Sequence, residues 1–277
     1  MGFCEESFHR TFPGDTMAQK ATKKKATRKA TRGQARGTAI ARSNGAALKK
    51  QVGELAHRLG MVEDVIEIRN LQHQYGYYLD KCIYREVVDL FADDGVAHFN
   101  GGIYRGRTKG VHRLYVERFG KTFVNGKNGP LPGFLLDHLI LQDVIHVAPD
   151  RKTAKGRFRC FMQAGVHETS EAPMAQMARK NNRPLNAWWE GGMYENVYVK
   201  EGGRWKFKLL NYNPLWHADY ATGWSHSRPN YVPAESVLYP QDPVGPDELL
   251  PKRPLWPDTD VVPFHYPHPI TGKIWRA

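Results

Sequence analysis

Residues 62–81, VEDVIEIRNLQHQYGYYLDK, constrain the fold more than any other stretch of the chain. Val62, Val65, Ile66, Leu71, Tyr75, Tyr78 and Leu79 recur with the helical period, which predicts an amphipathic helix packing one face against something large. A phenol and a carboxylate, Tyr75 and Asp80, lie on or beside that stripe. A carboxylate one turn beyond a buried tyrosine adds little to solubility but is well placed to line a pit. The helix is therefore expected to close a cone-shaped pocket whose wall is a curved sheet.

The segments around it supply that wall. A helical piece over residues 48–59 leads through Gly60 into the main helix, and residues 84–92 repeat the helical period before the turn signal Asp93-Asp94-Gly95. Residues 96–105 read as a short hairpin through Gly101-Gly102, and residues 108–120 as a third helix with Val111, Leu114, Tyr115 and Phe119 on one side. Beyond a Gly/Pro loop, residues 135–147, 153–166, 188–200 and 204–216 predict four long antiparallel strands, and residues 168–186 read as an inserted flap. Helices followed by a strand meander give an α+β domain, one antiparallel sheet wrapped around three helices.

The net charge of +12 is unevenly spread. Residues 1–50 carry twelve Lys/Arg against three acids, or +9, leaving 12 − 9 = +3 for the remainder. An Ala/Thr/Lys/Arg-rich stretch without aromatic residues buries too little to repay ordering, so residues 1–47 are expected to form a disordered basic tail. Such a tail solubilises the chain, and weak contact with nucleic acid is its less favoured use, because stacking residues are missing. Met17 offers a second start for translation. No long apolar run or signal-like N-terminus is present, and three scattered cysteines suit a reducing compartment, so a cytoplasmic protein without a membrane partner is expected.

The helix pattern Ile68, Leu71, Tyr75, Asp80, the turn LFADDG, the strand bearing His138 and the strand GGRWKF resemble, in order and spacing, the SnoaL-like, nuclear-transport-factor-2-like superfamily over residues 62–216. That resemblance implies a cone-shaped NTF2-like fold, which hosts dehydratases, isomerases, halide-eliminating lyases, carbon–carbon lyases and binding proteins. It also implies that His138 is a catalytic base, that Asp80 orients it, and that Tyr75 matches a tyrosine of the dehydratase members. The arginine on the last strand of the dehydrochlorinase members falls at Leu210 here, which argues against halide elimination.

The chemistry of these residue types is consistent with that role. An imidazole held at one nitrogen by a carboxylate keeps a fixed tautomer and is a stronger base at the other, so no metal or organic cofactor is needed. Tyr78 lies near Tyr75 on the helix and is a candidate for substrate contact. Arg157, Arg159, Phe161 and Gln163 alternate with Phe158, Cys160 and Met162; Arg159 binds substrate if its face is concave and is an ordinary solvated residue if its face is outer. Trp205, Phe207, Leu209 and Asn211 are expected to share a face, with Asn211 orienting a substrate oxygen, while Trp188 and Trp216 offer stacking surface to a flat ligand.

Several motifs are absent or weak. No phosphate-cradling glycine loop and no GxSxG elbow occur, and His217-x-Asp219 and His265-x-x-His268 lack a third ligand, so no metal is expected. Residues 225–277 hold eleven of the eighteen prolines and cannot add central strands, so they are expected to form an arm over this domain or a neighbouring subunit. An exposed outer sheet face predicts a dimer or trimer. The resulting expectation is a cofactor-independent lyase that removes water or formaldehyde from a hydrophobic aromatic substrate, such as a lignin-derived diaryl compound. The alternatives are a non-catalytic binding module and an isomerase.

Overall fold

A computed structural model describes residues 30–182, 184, 186–227 and 234–275, with side chains from residue 45 onward. The chain divides into two units, Met1–Leu55 and Ala56–Ala277. Helix α1, Ala30–Asp80, runs on through Gly60 without a break, and it corrects the expectation of disorder for residues 30–47. Its upstream half is rich in Ala, Lys and Arg, strong helix formers that do not need a buried face to favour the conformation. Residues 1–29 lie outside the described residues.

In the second unit, α1 is followed by α2 (Tyr84–Asp89), β1 (Phe91–Phe99), β2 (Gly102–Arg105), two π-helical segments over Gly106–Val111 and Arg113–Phe119, and α3 (Gly120–Val124). Then come β3 (Phe134–Val147), β4 (Thr153–Val166), α4 (Pro173–Lys180), β5 (Ala187–Glu201), β6 (Arg204–Asp219) and the short β7 (Glu248–Leu249). One seven-stranded sheet runs β3-β4-β5-β6-β1-β2-β7, antiparallel except where β1 joins β6. Asn100-Gly101 and Gly202-Gly203 close the β1–β2 and β5–β6 hairpins with both residues at positive φ, as two-residue turns of this hand require. This is the α+β, NTF2-like architecture, with four long strands curling around the helices.

The buried face of α1 is rotated from the one its apolar residues suggest. Val62 and Ile66 are exposed, whereas Asp64, Ile68, Leu71, Gln72, Tyr75 and Leu79 are buried. The two polar members are buried because they are paired. Asp64 receives Arg151 Nε at 2.5 Å, Lys200 Nζ at 2.6 Å and Trp205 Nε1 at 3.0 Å, and Gln72 Oε1 receives Asn196 and the Tyr198 hydroxyl at 2.8 and 2.9 Å. These contacts fasten the helix to the β3–β4 turn, β5 and β6 at two levels.

The flap carries α4, in which Ala175 and Ala178 are buried, as is Ala172 just before it. The proline-rich arm packs on its own unit. Arg118 meets Glu235 and Arg113 meets Asp247, while Arg157 donates to the carbonyls of Val262 and Pro263 and lies 4.2 Å from the Phe264 ring centroid. Its one strand among the described residues, β7, joins an edge, the place open to a proline-rich segment. Among the described residues, no helix is long and apolar enough to cross a membrane.

Candidate active site

The last turn of α1 and the middle of β3 bring Asp80 and His138 together across 58 residues. His138 Nδ1 lies 2.6 Å from Asp80 Oδ1, and the His138 backbone N–H donates to both carboxylate oxygens at 3.0 and 3.1 Å. Both side chains are 9% exposed. Two backbone contacts and one ring contact leave the carboxylate little freedom, so the imidazole is fixed in orientation with Nδ1 as the protonated nitrogen. Nε2 makes no hydrogen bond among the described residues and is the nitrogen left for a ligand.

His138 lines a cavity of about 260 Å³ inside the cone. Apolar walls come from Leu79, Phe119, Leu136, Met162, Trp188 and Leu210. Phenols gather on one side: the Tyr75 hydroxyl lies 3.0 Å from that of Tyr115, and the Tyr75 ring meets Tyr194 edge-on at 6.0 Å. Burial, with the neighbouring phenols, pushes Tyr75, Tyr115 and Tyr194 well above the ordinary tyrosine value, so they stay neutral hydrogen-bond donors.

A second polar cluster borders the same cavity, which its members Glu190 and Tyr212 line. Glu190 on β5 accepts from the Tyr212 hydroxyl, and its Oε2 lies 2.7 Å from His217 Nε2 on β6. Burial raises the Glu190 carboxyl, but hydrogen bonds from His217 and Tyr212 outweigh it and hold the group below its usual value, hence ionised near neutrality. Arg118 also lines the cavity, where it is neutralised by Glu235 at 2.7 Å. Among the described residues, no cluster of three or more His, Cys, Asp or Glu has the arrangement of a metal site.

Of the residues singled out in the sequence, Tyr75, His138 and Trp188 line the cavity, with Asp80 directly behind His138. Four do not. Arg159 projects from the outer face of β4, exposed, and donates to Gln142 Oε1 at 2.6 Å; the inward face is the apolar one, Phe158, Cys160 and Met162. Asn211 also faces outward, beside His98 at 3.3 Å. A bulge explains this: Tyr198 pairs with Phe207 but Val197 with Leu209, so one extra residue in β6 reverses its alternation and turns Leu210 and Tyr212 inward. A second shift, between Gly191 and Gly192, leaves Trp216 outside against Phe161 at 6.0 Å. Tyr78 packs half-buried against the core without reaching the cavity.

Sequence reasoning missed Glu190, Tyr212, His217 and Arg118. One signal was present: alternation from Trp188 puts Glu190 on the same face, an acid in an otherwise apolar run, WWEGG. His217 drew notice only for its spacing to Asp219, whereas its partner lies across the sheet.

Residues 60–211 match the family model of the SnoaL-like domain. The chain belongs to the SnoaL-like family. No curated protein matches it. Similar solved structures include a Novosphingobium aromaticivorans DSM 12444 protein provisionally described as a scytalone dehydratase, 22% identical with a TM-score of 0.43 over 60% of this chain and 91% of that one. Hexachlorocyclohexane dehydrochlorinase LinA-type3 from Novosphingobium barchaimii LL02 is 16% identical with a TM-score of 0.45, covering 60% and 95%. An NTF2-like protein with a cystatin-like fold, also from Novosphingobium aromaticivorans, is 18% identical with a TM-score of 0.41, covering 58% and 88%.

Proposed function

We propose that this SnoaL-like protein is a cofactor-independent lyase that removes a small molecule, water or formaldehyde, from an uncharged aromatic substrate held in the cone. The observation that carries this reading is the His138 Nδ1 to Asp80 contact of 2.6 Å beside a largely apolar, aromatic cavity. His138 Nε2 takes one proton, from carbon in a dehydration or from a hydroxymethyl oxygen in a deformylation. In the first case the C–H electrons become the new double bond as the hydroxyl leaves. In the second, the O–H electrons form the carbonyl of formaldehyde, the carbon–carbon bond breaks, and its electrons form the double bond as a benzylic hydroxyl leaves. The imidazolium returns its proton to the departing oxygen, so protons balance in both cases, and Tyr75 donates a hydrogen bond to that oxygen.

A diaryl compound bearing both a hydroxymethyl and a benzylic hydroxyl, as in lignin-derived diarylpropanes, meets these requirements. The outer row of Phe161, Trp189 and Tyr220, stacked at 5.7 and 5.8 Å, favours a homo-oligomer, which light scattering tests. Incubation with hydroxylated diaryl compounds, assayed for formaldehyde and for alkene absorbance, tests the reaction. His138→Ala is expected to abolish turnover while ligand affinity changes less than about ten-fold. Turnover that survives the substitution overturns the reading, and ligand binding with no turnover in the wild type favours a binding module instead.

A further inference from the structure

Four residues stand abreast on four neighbouring strands. His138 on β3 pairs with Met162 on β4, Met162 with Glu190 on β5, and Glu190 with His217 on β6. Directly paired residues project to the same face, so the row points inward, and its first three members line the cavity. His138 and Glu190 are two strand spacings apart, about 9–10 Å at the backbone.

The reaction above leaves Glu190 without a task. An ionised carboxylate in an apolar cavity is costly unless it is held. Glu190 has two partners, Tyr212 and His217, for about four lone-pair sites, which leaves acceptor capacity toward the cavity. The cationic side chain on the lining, Arg118, is committed to Glu235 and to the Tyr104 hydroxyl at 3.2 Å. The cavity therefore presents a ligand with a buried anion and neutral phenols. It does not present an unpaired guanidinium.

We propose that Glu190 is a substrate-binding residue that accepts a hydrogen bond from a second hydroxyl of an uncharged substrate, a few bonds from the group deprotonated by His138. Glu190 thereby selects for the benzylic hydroxyl of the diol that the reaction already calls for, and a carboxylate at that position is rejected by charge. This rests on the reading of His138 as the base, and a binding measurement separates the two, because it does not need turnover.

The test is calorimetric titration of the full chain with a 1,2-diarylpropane-1,3-diol, with the 2,3-diarylpropan-1-ol lacking the benzylic hydroxyl, and with an analogue carrying a carboxylate in its place. The wild type is expected to bind the diol at least ten-fold more tightly than the mono-ol. Glu190→Gln is expected to shrink that ratio at least three-fold and to tighten binding of the carboxylate, while His138→Ala leaves the ratio intact. A wild-type ratio below ten-fold, a ratio that shrinks less than three-fold in Glu190→Gln, or no binding of the diol overturns the proposal. The wild-type comparison decides by itself if Glu190→Gln fails to fold. Loss of turnover alone in His138→Ala concerns the base, and an unchanged diol preference there keeps the two questions apart.

Discussion

At the residue scale, the proposed chemistry turns on which nitrogen of His138 is left for a ligand. Asp80 holds Nδ1 with one oxygen and the His138 backbone N–H with both, so Asp80→Asn is expected to leave the fold intact but allow the ring to present the wrong tautomer. Turnover on a responsive diol should fall by about 100- to 10,000-fold with little change in substrate affinity, measured by steady-state kinetics. Both partners were legible in the sequence through the family resemblance, which points to an acid ending the amphipathic helix and a histidine on the first long strand; the structure brings the two into contact. Glu190 was not, since its meaning depends on Tyr212 and His217, two residues of the next strand whose direction a bulge decides.

At the scale of elements, α1 is held by a buried carboxylate. Burial raises the Asp64 carboxyl, but its hydrogen bonds to Arg151, Lys200 and Trp205 bring it down to about 2 from an ordinary 3.8. A folded-state value below the unfolded one means that the stabilisation is complete above about pH 4–5 and is lost as pH falls toward 2. Asp64→Asn should lower stability by about 1–3 kcal/mol at neutral pH in urea titrations, because it removes the carboxylate that pairs the half-buried Arg151 and Lys200, and should flatten the acid limb of the stability curve. On β5, a Cβ at Gly192 would overlap the Tyr212 phenol. Gly192→Ala is therefore expected to cost about 1–3 kcal/mol in thermal unfolding and to weaken diol binding, by displacing the hydroxyl that Glu190 accepts from.

At the scale of the whole molecule, the proline-rich arm is fastened to the convex side of the sheet by Arg157. That guanidinium, 7% exposed, meets Glu195 at 2.5 Å, two arm carbonyls at 2.7 Å and the Phe264 ring. Burial raises the Glu195 carboxyl, but hydrogen bonds from His265 and Arg157 outweigh it and hold it below the usual glutamate value. Arg157→Ala leaves that carboxylate short of a partner and the arm without its clamp. Limited proteolysis should then cut within residues 253–275 several-fold faster than in the wild type, while turnover, which depends on the opposite face, changes little.

Across the chain, the sequence by itself determined the order and lengths of the long strands and the α+β class, and its resemblance to the SnoaL-like family pointed to the pairing of a helix-end acid with a strand histidine. Period, turn residues and apolar content are local quantities, and they survive folding unchanged. Only the tertiary structure decided which side of each element faces inward. The outward Arg159, the reversal that turns Asn211 out and Tyr212 in, and the burial of Asp64 in place of Val62 and Ile66 each depend on partners distant in sequence. One extra residue in a strand exchanges its two faces, and a polar group is buried wherever ions and donors from other strands offset its loss of water.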